Sequence, residues 1–343
     1  MRKILKSIFT ALCAGLFAVA TQVNAQAPVP VKIRFTLDWI VQGQHAPFLL
    51  AKTRGYFEQE GLDVTIDAGN GSAGTLQRLA GGAYDVGFAD ISSFIEFLGN
   101  NPQTPRMQAV YMVHERNPNM LFALKKSGIN KPTDLKGKKI SGPVFSSTRK
   151  TWPLFAKATG LDVNSVTWQN VAPDLVEQAA VRGDVDLGSG FPTQAQIYYR
   201  LGVKPEDLVM IRYADYGVDL YGNTLLATSK LIAENPQALT RFLRALNRGM
   251  KDTIADPAAA TKAVIARNNL LNEADELEKL KLILEFVDTA NTRSDGLGSI
   301  RKLRLENQVD DIYSAYGLKS KPSADLIFNS SFLPARSERQ YKK

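Results

Sequence analysis

Two stretches of this chain carry the same text in the same order. The first reads Pro47-Phe48-Leu49-Leu50-Ala51-Lys52, then Gly55, then Gly61-Leu62-Asp63-Val64; the second reads Pro153-Leu154-Phe155-Ala156-Lys157, then Gly160-Leu161-Asp162-Val163. Each is followed by a related block, Gly82-Ala83-Tyr84-Asp85-Val86-Gly87 and Gly183-Asp184-Val185-Asp186-Leu187-Gly188. One echo could be chance, since Ala, Leu and Lys are ordinary helix formers. Several, in one order and at similar offsets, predict two lobes built to one supersecondary plan. Two facing lobes make a cleft, and a chain of 343 residues is also longer than one core usually fills.

Around these blocks, strand signals at 31–37, 62–66 and 84–88 alternate with helical spacing at 46–54, 75–80 and 92–98. The second copy repeats the scheme, with strands expected at 138–141, 166–170 and 185–188 and helices at 151–159 and 175–182. Such alternation argues for mostly parallel sheets with helices on their faces. After Thr224 the pattern turns helical: Asn235-Pro236 opens a helix with Leu239, Phe242, Leu243 and Leu246 on one face. Leu277, Leu280, Ile283 and Leu284 mark another, and Ile300, Leu303, Val309 and Ile312 a last one. This helical third is expected to pack on the first lobe. Crossings between lobes are expected near 117–122 and 213–225. Residues 26–119 with 222–343 then form lobe 1, and 120–221 form lobe 2. The fold class is α/β, each lobe a mixed, mostly parallel sheet flanked by helices.

Residues 1–25 read as a leader rather than as fold. Arg2, Lys3 and Lys6 precede an apolar run from Ile8 to Ala20, and Val23-Asn24-Ala25 places small residues for cleavage after Ala25. No later segment approaches the ~18 apolar residues of a spanning helix, so an exported, soluble periplasmic protein without membrane insertion is expected. The only cysteine, Cys13, falls inside the leader, and Thr10-Ala11-Leu12 before it makes a poor lipid-attachment box. Without a thiol in the processed chain, disulfides, zinc-thiolate sites, iron–sulfur ligation and a cysteine nucleophile are excluded. The formal charge of +8 is concentrated at the two ends, in the leader and in the tail Arg336, Arg339, Lys342 and Lys343. The nearly balanced body argues against nucleic-acid binding.

Ligands of open α/β sheets bind outside the carboxyl ends of strands, which singles out four loops. Asp38-Trp39-Ile40-Val41-Gln42-Gly43-Gln44-His45 combines an aromatic face with polar groups, suited to a flat polar ligand, although Trp39 could equally be core and His45 a hydrogen-bonder at a helix start. Gly69-Asn70-Gly71-Ser72-Ala73-Gly74 fits G-x-G-x-x-G, with Asp90 where a dinucleotide site needs an acid. An exported protein seldom meets such a cofactor, so only the local reading is kept: backbone N–H groups aimed at a ligand oxygen, or a tight turn. Asp90-Ile91-Ser92 offers either a ligand acceptor or a helix cap. Ser146, Ser147 and Thr148, with Arg149 and Trp152, could grip a carboxylate, sulfonate or phosphate. Catalytic constellations are thin: His45 and His114 are the only histidines, and no H-E-x-x-H or G-x-S-x-G pattern occurs.

Phe35-Thr36-Leu37-Asp38-Trp39, then His45, Leu50-Ala51-Lys52, Gly55-Tyr56-Phe57 and Glu60-Gly61-Leu62-Asp63-Val64 resemble the opening of one group of ABC-transporter solute-binding proteins. That group takes nitrate, sulfonates, taurine and thiamine-pyrimidine precursors, and Gly82–Gly87 and Asp134–Ile140 match its later landmarks. The resemblance implies a two-lobed type II periplasmic binding fold that closes on a small molecule. It also implies delivery to a membrane permease with a cytoplasmic ATPase, a monomer, and no cofactor. By that likeness Trp39 matches the aromatic on which pyrimidine ligands stack, and Asn70, Gly71, Ser72, Asp90 and Ser146–Thr148 fall where members line the cleft. Gln42, His114, Phe191, Asp219 and Tyr221 complete the candidate ligand set, which includes no catalytic or metal-ligating residue. The chain departs from pyrimidine-precursor relatives at Val41-Gln42, where they carry Pro-Asn, and lacks an acid near Gly190–Gln194. The ligand expected is therefore planar or anionic. The alternatives are a thiamine pyrimidine synthase of the same fold, whose cysteine-rich iron-binding motif is missing here, and a sensor presenting its closed form to a receptor.

Overall fold

The computed structural model describes residues 29–103 and 107–341; the predicted leader and its cleavage position lie outside the described residues. Lobe 1 is built on β1 (Val31–Thr36), β2 (Leu62–Asp67), β3 (Val86–Asp90), β4 (Met107–Met112) and β10 (Asn223–Thr228), in the order β2-β1-β3-β10-β4. Lobe 2 uses β5 (Met120–Leu124), β6 (Lys139–Ser141), β7 (Thr167–Gln169), β8 (Leu187–Gly190) and β9 (Leu208–Arg212), in the order β7-β6-β8-β5-β9. In each sheet three strands run parallel, β2-β1-β3 and β7-β6-β8. In each, the next strand is antiparallel to its neighbours and enters from the opposite lobe, β10 in the first sheet and β5 in the second. The chain thus crosses twice, at 113–119 and at 213–222. Two matched mixed sheets with paired crossings make the two-lobed type II binding fold.

The doubled blocks have a physical reason. Gly82 and Gly183 turn the chain at left-handed φ values of 75° and 82°, where any Cβ is strained. The aspartate three residues after each clips the central strand of the three parallel ones, β1 in lobe 1 and β6 in lobe 2. Asp85 accepts from the Arg34 N–H at 2.9 Å, and Asp186 accepts from the Lys139 N–H at 2.8 Å. The copies part at Asp162, which does not lie in a strand as Asp63 does. It closes a turn instead, accepting from the Asn164 N–H at 2.8 Å, and β7 begins only at Thr167.

Helices cover both sheets: α1 (Ala46–Thr53), α2 (Tyr56–Gln59), α3 (Ser72–Ala80) and α4 (Ile91–Asn100) in lobe 1, and α5 (Ser147–Thr159), α6 (Val176–Arg182) and α7 (Ala195–Arg200) in lobe 2. α3 and α5 start earlier than their hydrophobic spacing predicts, so Ser72, Ser147 and Thr148 lie in first turns rather than in loops. The C-terminal helices begin with α8 (Ser229–Glu234) and α9 (Pro236–Ala255). Leu239, Phe242, Leu243 and Leu246 of α9 are buried on lobe 1, the Phe242 ring edge-on to Phe35 at 5.8 Å and stacked on Phe57 at 5.0 Å. They continue through α10 (Pro257–Arg267), α11 (Glu273–Leu284), α12 (Ala290–Asp295) and α13 (Lys302–Tyr316). This segment does not keep to lobe 1. α11 also meets the Pro192–Gln194 turn and α7 of lobe 2, and α13 lies against both α4 and α5. No helix among the described residues is long and apolar enough to cross a membrane.

Candidate ligand-binding cleft

The lobes are closed. Glycine at 71 (φ 132°) lets the α3 N-terminus approach Phe145, and the Ala73 N–H points at the Phe145 carbonyl at 3.4 Å. Ion pairs Glu96–Lys150 at 2.9 Å and Asp275–Arg200 at 3.3 Å also join the two halves. Between them lies a cavity of about 350 Å³ of empty space, mouth included. Lobe 1 lines it with Asp38, Trp39, Gln42, Gln44, Gly71 and Ser72; lobe 2 with Ser146, Ser147, Thr148, Ser189, Gly190, Phe191 and Gln194.

The first loop is locked from behind. His45 Nδ1 accepts the Gln42 N–H at 3.2 Å, so its Nε2–H faces Asp38 Oδ1 at 2.9 Å. Asn223, at the start of β10, donates to Asp38 Oδ2 at 2.7 Å. The fully buried His45 orients the carboxylate and does not itself line the cavity. Trp39 is half-buried at the cavity edge, and its carbonyl accepts the Gly69 N–H at 2.9 Å.

Opposite, the hydroxyls of Ser147 and Thr148 both donate to Asn119 Oδ1, at 3.2 and 2.8 Å. Ser189 Oγ donates to the Ser141 carbonyl at 2.8 Å. These three hydroxyls therefore have only lone pairs to offer a ligand. Ser72 Oγ accepts the Asp90 N–H at 2.9 Å and keeps its own proton. Gln194 Oε1 accepts from the Phe191 N–H and the Thr193 hydroxyl, leaving its amide N–H groups free. Among the described lining residues only Asp38 is formally charged, and the lining side chains offer mainly acceptors, while the uncapped start of α5 leaves first-turn backbone N–H groups as donors.

The remaining sequence candidates lie elsewhere, each for a definable reason. Asp90 caps α4, accepting the Ser93 N–H at 3.0 Å one layer behind Ser72; burial pushes its carboxyl up to about 6. Ile91 is core, and Ser92 Oγ accepts from Gln308 of α13 at 2.9 Å. Exposed Asn70 folds its side chain back over Gly74. Arg149 stacks on Trp168 at 5.5 Å and reaches the Gly142 carbonyl, while Trp152 is buried in lobe 2, donating to the Val163 carbonyl at 2.8 Å. His114 is buried beneath the cavity, edge-on to Phe88 and Phe191; burial holds it down to about 4. Asp219 and Tyr221 belong to the second crossing, where Arg304 holds them.

Sequence reading missed Gln44, Ser189, Gly190 and Gln194 as site residues. The first sits inside a loop already singled out. Ser189 and Gly190 end β8, the lobe 2 counterpart of β3, and Gln194 follows it, so the carboxyl-end rule applied to both copies would have found them. Among the described residues no group of three or more His, Cys, Asp or Glu could hold a metal ion.

The chain is 28% identical over 322 residues to the riboflavin-binding protein RibY of Chloroflexus aurantiacus, covering 92% of this chain and 89% of that one. It is also 28% identical over 239 residues to 4-amino-5-hydroxymethyl-2-methylpyrimidine phosphate synthase of Aspergillus parasiticus, covering 67% and 68%. Both a binding protein and an enzyme are thus among its relatives. In fold it matches the alkanesulfonate-binding protein SsuA of Xanthomonas axonopodis pv. citri, with a TM-score of 0.69 at 17% identity, covering 89% of this chain and 100% of that one. The model of the family described as NMT1/THI5 like matches residues 42–260, more than half of the sequence, and the protein belongs to that family.

Proposed function

We propose that this protein is the extracytoplasmic solute-binding component of an ABC importer. In this reading it traps a small, planar, nitrogen-rich solute between its lobes and carries it to a membrane permease coupled to a cytoplasmic ATPase. The observation that carries the reading is the composition of the closed cavity: an aromatic ring at its edge, side-chain acceptors around it, and Asp38 as the only formal charge among the described lining residues. An amine or protonated ring nitrogen would meet the Asp38 carboxylate in a charge-assisted bond. A sulfonate would meet that same negative charge, with Arg149 turned away on Trp168. Of the planar and anionic classes that the sequence leaves open, the planar donor is therefore favoured. Riboflavin and an aminopyrimidine, the compounds in the names of RibY and of the synthase, fall in that class.

Calorimetry against riboflavin, 4-amino-5-hydroxymethyl-2-methylpyrimidine and MOPS, with mass spectrometry of whatever co-purifies, tests the reading. Micromolar or tighter binding of one of the first two, about −8 kcal/mol or better, is expected. Tight binding of MOPS alone would overturn the polarity argument. An enzyme reading is favoured by the synthase relatives, and bound iron together with released pyrimidine product would establish it.

A further inference from the structure

We propose that Glu276 of α11 is a positioning residue for the cleft: through its bond to Gly43 it fixes Gln42 and Gln44, which line the cavity. The proposal rests on the cleft being the binding site. Glu276 is fully buried, and its Oε2 accepts the Gly43 N–H at 2.6 Å. Its Oε1 pairs at 2.5 Å with Lys279, itself 2% exposed. The contact is close on both sides. A Cβ at position 43 would sit 2.2 Å from the Glu276 carbonyl oxygen and 2.9 Å from the Leu280 nitrogen, so glycine is required there. α11 therefore grips the ligand loop at the residue between the two glutamines.

What Gly43 fixes is aimed at the cavity. Gln44 lines it, its side-chain amide held against His45 Nε2 at 3.2 Å. α11 also packs against the Pro192–Gln194 turn, which brings Gln194 to the cavity from lobe 2. One helix thus supports both lining turns, and it lies outside the 42–260 span that the family model matches.

Removing Glu276 alone would strand a buried lysine, which unfolds proteins for unrelated reasons. The test therefore compares two doubly substituted proteins without the ion pair. Glu276→Gln with Lys279→Met keeps an oxygen acceptor for Gly43; Glu276→Met with Lys279→Met does not. Two readouts are taken: amide hydrogen exchange at 42–45 without ligand, and the Kd for riboflavin and for 4-amino-5-hydroxymethyl-2-methylpyrimidine. The Met/Met protein is expected to exchange the Gly43 amide about tenfold faster than the Gln/Met protein at equal Tm, and to bind about tenfold more weakly whichever probe the parent binds. Equal exchange in the two proteins, or equal loss of affinity, overturns the positioning role. If neither probe binds the parent but the exchange difference is present, the anchoring of the loop stands and the choice of ligand class fails.

Discussion

At the scale of single residues, the cleft works by fixing a few polar groups from behind. Asp38 is held on one oxygen by His45 and on the other by Asn223, so its remaining lone pairs point at the cavity with little freedom. Asp38→Asn places an N–H against one of these two donors. It should lower stability by about 1–3 kcal/mol and weaken an amine-bearing ligand far more than an uncharged one, as denaturant titration and calorimetry would show. Trp39 lies at the cavity edge and is only half-buried, so Trp39→Ala should raise Kd about tenfold and leave Tm nearly unchanged, stacking being worth roughly 0.5–1.5 kcal/mol beyond area burial. An unchanged Kd would make the ring structural. Trp39 and the hydroxyls at 146–148 were legible because loop position after a strand is written in local sequence. The direction of Arg149 was not, because it depends on Trp168 of a different strand and on α5 starting as early as Ser147.

At the scale of elements, the repeat made the two β-α-β halves legible, and the aspartates of the second echo show why: each ties its strand to the backbone of another. The role of α11 was invisible, since its apolar spacing marks a helix but does not say that its polar face enters the closed seam. Lys279 of that face acts electrostatically on Glu177 of α6, which is 1% exposed with one carboxylate oxygen unpartnered. Burial pushes Glu177 up to about 7, opposed by the nearby Lys279 and Arg200 and reinforced by Asp174; the Tyr198 hydroxyl shares its pocket. The folded value lies above the ordinary carboxylate value of 4.5. Its contribution to stability is therefore complete below that value and is lost as pH rises through 7. Glu177→Gln should match the parent near pH 4.5 and exceed it by about 2–3 kcal/mol at pH 8. His114, whose folded value is depressed, acts in the opposite sense between 4 and 6.5, and comparing variant with parent at each pH cancels it. A pH-independent difference would show that Glu177 is ionised throughout.

At the scale of the whole molecule, four residues assigned to the cleft from sequence, Ser92, His114, Asp219 and Tyr221, lie at or against the two crossings instead. Of these only Ser92 was marked by its place after a strand; in the closed structure the region joins the two lobes. α13 braces it. Arg304 bonds Glu115 of the first crossing, reaches Asp219 at 2.9 Å and the Leu220 carbonyl at 3.3 Å in the second, and covers the Tyr221 ring at 4.2 Å. One turn on, Gln308 accepts the Tyr221 N–H and donates to Ser92 of lobe 1, both at 2.9 Å. A side chain that bonds both crossings at once restrains any rotation of one lobe on the other. Arg304→Met keeps the stem and removes these bonds, so it should broaden the distribution of lobe-to-lobe distances without unfolding either sheet. The single cysteine at position 13, in the predicted leader, allows spin labels to be placed cleanly on Lys262→Cys in lobe 1 and Lys204→Cys in lobe 2. Pulsed distance measurements should then show a wider and longer distribution than with Arg304 in place. An unchanged distribution would mean that the backbone of the crossings, and not the α13 brace, sets the angle at which the lobes meet.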